Sequence, residues 1–228
     1  MIELKNVWFS YTGDEYVLRD VTLSFDKGIT VIMGPNGSGK TTLLKVAALI
    51  YKASRGQILV NGVDYWSLSE DEKLKIKRRV VYVHEKPILI RGTALDNVAY
   101  SLTIRGVSEK EAKSIALRVM DELEIGHLAH RRDANKLSAG EKQLIALARA
   151  LAPKPDYLFL DEPLANLHIT KRKSITKLLE KLKSEMAIAI SSHDPIPILT
   201  IADRVVVLEE GRIASLLKPS EILKEIQT

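Results

Sequence analysis

Residues Gly34-Pro35-Asn36-Gly37-Ser38-Gly39-Lys40-Thr41 constrain this chain more than any other stretch. They fit the pattern G-x-x-x-x-G-K-[ST] without a gap. The flanks give the match a structural meaning. Ile29 to Met33 reads as a short buried strand, and Thr42 to Ile50 reads as a helix. A strand that runs through a glycine turn into a helix is built to hold phosphate. Glycines let successive N–H groups curl toward oxygens, and the helix start adds partial positive charge. In such a loop Lys40 reaches the β- and γ-phosphates, and the Thr41 hydroxyl is a Mg²⁺ ligand. Residues 34 to 42, with Pro35, Asn36, Ser38 and Thr42 between and after the glycines, are the expected ATP cradle.

Tyr157-Leu158-Phe159-Leu160 is an apolar run that ends in Asp161-Glu162-Pro163. A buried strand ending in two acids places them at the C-terminal edge of a sheet, where α/β ligands bind. Asp161 suits Mg²⁺, through water and beside Thr41. Glu162 suits the general base that orients or deprotonates an attacking water.

The rest of the chain alternates strand-like and helix-like segments. Residues 2–33 read as short strands and turns, and Gly56 to Val60 as a strand before an Asn61-Gly62 turn. Ser69 to Arg79 reads as a helix with a Ser69/Glu72 capping box. From Glu85 to Ala152 a helical period dominates. A second capping box is expected at Ser108/Glu111, an apolar face at Ala112, Ile115, Ala116, Val119, Met120 and Leu123, and a stop at Gly126. Val80 to Val83, Ala187 to Ile190 and Val205 to Leu208 read as further buried strands, and Ile175 to Glu185 as a helix. This order predicts an α/β fold. It has a mainly parallel core sheet, antiparallel strands at the N-terminus and a helical insertion. One domain is expected over 1–228, its core formed by 1–84 and 153–228 around a helical part at about 85–152.

Composition removes several alternatives. There are no cysteines, so thiolate chemistry and disulfides are excluded. No apolar run approaches the ~20 residues that cross a bilayer, so any spanning part belongs to another chain. The net charge of +5 is modest. Its densest runs, Lys171-Arg172-Lys173 and Arg78-Arg79, lack interleaved aromatics, and no nucleic-acid partner is expected.

Leu137-Ser138-Ala139-Gly140-Glu141 is the third element. By residues alone it is a helix start, with Ser138 the N-cap and Glu141 completing a capping box. Its place, 23 positions before Asp161, makes the chain resemble the nucleotide-binding subunit of an ATP-binding cassette (ABC) transporter. In that family a Leu-Ser-Gly-Gly-Gln signature contacts ATP held by the opposite subunit of a head-to-tail dimer. The resemblance covers residues 2 to 215 or so. It implies that Tyr11 stacks on adenine, that His193 contacts the γ-phosphate and positions the water, and that Ser138, Ala139, Gly140 and Glu141 act in trans. Glu85 then stands where a glutamine commonly binds Mg²⁺ and nucleotide. Implied partners are transmembrane permease subunits, a second copy or a homologous ATPase subunit, and a substrate-binding protein. The implied place is the cytoplasmic face of the membrane, held peripherally.

Four positions depart from the family pattern: Glu85, Ala139, Glu141, and His168 where an Asp is common. A methyl at Ala139 penalises a positive φ and narrows the approach to phosphate. The groove near Glu85 to Gly92 is expected to receive helices of the membrane chains, with Leu89→Asp as the uncoupling substitution. Lys86 to Leu89 and Asp96 to Tyr100 resemble oxyanion importer ATPases. Alternative readings are an exporter ATPase subunit, a soluble ABC protein acting on DNA or ribosomes, and a weakly hydrolysing nucleotide-gated module. The tail from Lys218 to Thr228 is expected to be a short helix.

Overall fold

The structure, a computed structural model, describes residues 1–131 and 133–226. The chain opens with β1 (Ile2–Phe9), β2 (Leu18–Phe25) and β3 (Gly28–Met33). The glycine loop leads into α1 (Lys40–Ala47), followed by β4 (Arg55–Val60), β5 (Val63–Asp64), α2 (Glu70–Lys77) and β6 (Val80–Val83). Three helices come next: α3 (Ala94–Thr103), α4 (Glu109–Glu122) and α5 (Ala139–Leu151). The chain then returns to strand–helix alternation with β7 (Tyr157–Asp161), α6 (Ile169–Leu182), β8 (Ala187–Ser191) and α7 (Ile196–Leu199). It ends in β9 (Arg204–Glu209), β10 (Arg212–Leu217) and α8 (Pro219–Ile226). Gln227 and Thr228, at the end of the expected terminal helix, lie outside the described residues.

The strands form two sheets. β2-β1-β4-β5 is antiparallel, and its β4–β5 hairpin turns at Asn61-Gly62, both at positive φ as the Asn-Gly pair requires. The larger sheet runs β10-β9-β3-β8-β7-β6 and is parallel from β9 to β6, with antiparallel β10 at its edge.

Alternation along the parallel strands divides the interior into two cores. Ile29 and Val31, Leu158 and Leu160, Ile188 and Ile190 face a core shared with α3, α4 and α5. Ile32, Phe159 and Ala189 point the other way, onto α1 and the antiparallel sheet. There Phe25 meets Phe159 edge to face, centroids 5.3 Å apart. Burial on both faces explains why these strands read as continuous apolar runs.

Four helix starts, those of α2, α3, α4 and α5, follow the capping chemistry. Complete capping boxes open α2 at Ser69, α3 at Thr93 and α5 at Ser138. At Ser108 the hydroxyl accepts from the Glu111 N–H at 3.4 Å, and the reciprocal bond from the Ser108 N–H to the Glu111 carboxylate is not formed. Helix ends follow the expectations less well. α4 stops at Leu123 and Glu124, the latter at φ 57°, and not at Gly126. Gly126 lies in the next single turn, packed so closely that a Cβ there would stand 1.9 Å from Asp121 Oδ1. α6 starts at Ile169, earlier than the expected Ile175, because its exposed first turn carries no apolar period.

Candidate functional site

Four strand ends of the parallel sheet converge on the glycine loop. Gly34, Gly37 and Gly39 adopt φ of 145°, 80° and 102°. At Gly34 the need for glycine is absolute, since a Cβ there would stand 2.0 Å from the Leu208 carbonyl oxygen of β9. Pro35, Asn36 and Gly37 are exposed at the crest, while Ser38 is buried and its hydroxyl has no protein partner. Lys40 Nζ donates to the Gly34 and Pro35 carbonyls at 2.8 and 2.9 Å, holding the ammonium over the loop.

The parallel register aligns the acids with this loop. Ser191 at the end of β8 lies opposite Ile32 of β3 on one side and Asp161 of β7 on the other. Asp161 is buried, and three hydroxyls serve it. Thr41 Oγ1 (2.8 Å) and Tyr82 Oη (2.9 Å) donate to Oδ2, and Ser191 Oγ (2.6 Å) donates to Oδ1. Burial, with the Asp161 charge beside it, pushes the Tyr82 phenol well above its ordinary range, so it is a donor at any working pH. A carboxylate and a hydroxyl in contact form a hard-oxygen donor set. That set suits Mg²⁺, which takes few protein ligands beside water and phosphate. Among the described residues there is no group of three or more His, Asp or Glu that could form an all-protein metal cage.

Glu162 turns the chain away from the sheet. It sits at φ 49°, a conformation that a non-glycine residue adopts only when its surroundings impose it. The surroundings here are Ser191, whose carbonyl and hydroxyl both accept the Glu162 N–H at 3.2 Å. The side chain is 14% exposed, and its Oε2 lies 2.8 Å from His193 Nδ1. Burial raises the Glu162 carboxyl above the usual carboxylate range, only partly offset by His193. His193 and the loop residues Gly34, Pro35 and Asn36 line one cavity of about 420 Å³. Arg172 of α6 ties the flanking loops together, donating to the Leu167 and Ala165 carbonyls and to Asp194.

The remaining expected site residues fall in three places. Tyr11 packs edge-on against Phe9 and Tyr51, and its hydroxyl lies 3.0 Å from Thr42 Oγ1 at the start of α1. Glu85 follows β6 and forms no hydrogen bond or ion pair with Thr41, Asp161 or Glu162. Ser138 to Glu141 open α5 and line a separate cavity of about 500 Å³ with His127, Asn166 and His168. The glycine loop does not reach that cavity.

Two expectations need correction. Ala139 is the first residue of α5 and is not at positive φ, so its methyl carries no backbone penalty. The close approach belongs to Gly140, where a Cβ would meet the Asn166 carbonyl oxygen at 2.7 Å. Leu89 is 5% exposed and part of the core, so an Asp there would disrupt the fold before it could report on docking. Its neighbour Ile88 is 85% exposed. Sequence reasoning also missed Tyr82, Ser191 and Arg172 as site residues. The only signal for Ser191 was its place at a strand end.

Comparison with known proteins bears on the family and the fold. Residues 18–165 match the family model described as ABC transporter. A putative ABC transporter ATP-binding protein of Pyrococcus furiosus is 39% identical over 218 residues, covering 93% of this chain and 82% of the relative. A sulfate/thiosulfate import ATP-binding protein of Yersinia pseudotuberculosis is 36% identical over all of this chain, which spans 63% of that relative's length. Among solved structures, a dimeric post-hydrolysis ATP-binding cassette bound to ADP and phosphate superposes with a TM-score of 0.88 at 31% identity, covering 96% and 99% of the two chains. The family match over residues 18–165, the relatives and the superposed cassette give the assignment: this chain belongs to the ABC transporter family, as an ATPase cassette.

Proposed function

We propose that this chain hydrolyses ATP as one half of a head-to-tail pair and drives import through separate membrane chains. The observation that carries the reading is the Glu162–His193 contact, placed beside the Thr41–Asp161 pair and the Lys40 loop. Lys40 and the loop N–H groups hold the phosphates. Glu162 takes the proton of the attacking water, and His193 fixes the carboxylate and receives part of the charge that develops. Mg²⁺ held by Thr41 and Asp161 would polarise the terminal phosphate. The signature residues line a cavity that excludes this loop, which supports a site completed by a second copy or a homologue. The dimeric neighbour and the import relative favour the same reading, with an oxyanion as cargo. Residues 85–152 serve as the helical part of a single cassette.

A groove of about 550 Å³ between β6 and α3–α5 supports docking on membrane chains. Ile88, Tyr100 and Ile104 are exposed along it, and among the described residues no Asp or Glu lines it. Arg105 and Arg149 are desolvated there; among the described residues they bond to backbone carbonyls alone, and Arg105 Nε is buried without a partner. The groove therefore fits a short amphipathic helix with an apolar face and a carboxylate. Among the described residues no helix is long and apolar enough to cross a membrane.

The test is purification of tagged chain from detergent-solubilised native membranes. A co-purifying permease, lost with Ile88→Asp while ATPase activity of the isolated chain persists, is expected. Recovery from the soluble fraction with ribosomal or DNA-processing proteins would overturn the transport reading.

A further inference from the structure

Asp161 accepts three hydroxyl hydrogen bonds, and only one of the three donors belongs to the glycine-loop motif. A carboxylate offers about four acceptor positions. Thr41 and Tyr82 occupy both on Oδ2, and Ser191 occupies one on Oδ1. One position is left for a water or an ion. Tyr82 comes from β6 at the edge of the sheet, where the register sets it opposite Phe159, two residues before Asp161. Its ring is held from both ends: Lys45 Nζ of α1 lies 6.0 Å from the ring centroid, and the His84 ring packs edge-on at 6.1 Å.

We propose that Tyr82 is a positioning residue for the metal site, its phenol fixing the rotation of the Asp161 carboxylate so that the single free acceptor position faces the phosphates. The inference rests on the ATPase reading of the same site. Without the phenol, Oδ2 keeps only Thr41, and one hydroxyl on each oxygen holds the carboxylate less tightly than three do. Loss of a partner that orients a metal-binding side chain costs about 10- to 100-fold in metal affinity.

The experiment measures Mn²⁺ binding to the chain with saturating ADP, read from the electron paramagnetic resonance signal of free Mn²⁺. Tyr82→Phe is expected to weaken Mn²⁺ binding about tenfold. Its ADP affinity in EDTA and its melting temperature should match the parent chain. A role in packing alone would change the metal-free affinity and the metal-dependent affinity together. Tyr82→Met, which keeps an apolar filling without a hydroxyl, should behave as Tyr82→Phe does. Unchanged or tighter Mn²⁺ binding in both variants overturns the proposal and leaves the ATPase reading intact. A parent chain that binds no ADP with Mn²⁺ overturns both.

Discussion

Replacing Glu162 by Gln isolates the proton-accepting role from everything else the residue does. The amide has nearly the same volume, so the tight turn at φ 49° and its N–H bonds to Ser191 persist. Either end of the amide can still face His193 Nδ1, 2.8 Å from the present carboxylate oxygen. What disappears is basicity, at a side chain only 14% exposed where bulk water has little room to substitute. A positioned general base contributes about 10²- to 10⁴-fold, or about 2.7 to 5.4 kcal/mol of barrier. Phosphate release should fall by that factor. ATP affinity should stay within about twofold, because Lys40, Thr41 and Asp161 keep their bonds. Steady-state phosphate release and a fluorescent-nucleotide titration on the same preparation decide it. A variant that retains more than about a tenth of the parent rate would refute the assignment. Equal loss of binding and rate would show instead that Glu162 supports the fold of the loop.

Glu162 also sets a pH dependence. Its folded-state pKa is raised by burial, so activity should decline as pH falls from neutral, before the range near 4.3 where an ordinary glutamate would protonate. For stability the raised pKa acts in the unfavourable direction: the cost of burying the ion is fully present above the folded pKa and is relieved as pH falls below it. Glu162→Gln should therefore melt higher than the parent at neutral pH, with the gap narrowing in acid, as paired thermal melts would show. In the core, Phe159 is 1% exposed and meets Phe25, and Phe159→Ala should cost about 3–5 kcal/mol in a urea titration. A loss under about 1 kcal/mol would mean that α1 and the antiparallel sheet collapse onto the vacated space.

Legibility followed the range of each interaction. The capping boxes at Ser69 and Ser138 were readable because donor and acceptor lie three residues apart in sequence. The turn at Asn61-Gly62 was readable because its conformation is dictated by those two residues. Leu89 and Ile88 were not distinguishable, since both are apolar residues in a loop without a period. Gly126 looked like a helix stop because glycine so often is one, yet Glu124 took the left-handed position and Gly126 was needed for packing against Asp121. The concern over Ala139 came from the residue type, and only the helix start showed that its backbone is ordinary.

The sequence alone determined that a phosphate loop stands between a buried strand and a helix. It also determined that a second strand ends in two acids and that a capped helix precedes that strand. Each of these is carried by neighbouring residues whose spacing is itself the physics. Only the tertiary structure decided which hydroxyls hold Asp161 and which histidine meets Glu162. It also decided which face of the 84–90 segment is open. Tyr82, Ser191 and Asp161 lie on three different strands, and Thr41 on a helix. What joins the three strands is the parallel register of the sheet, a property of pairing between residues 77 and 30 positions apart that no local pattern encodes.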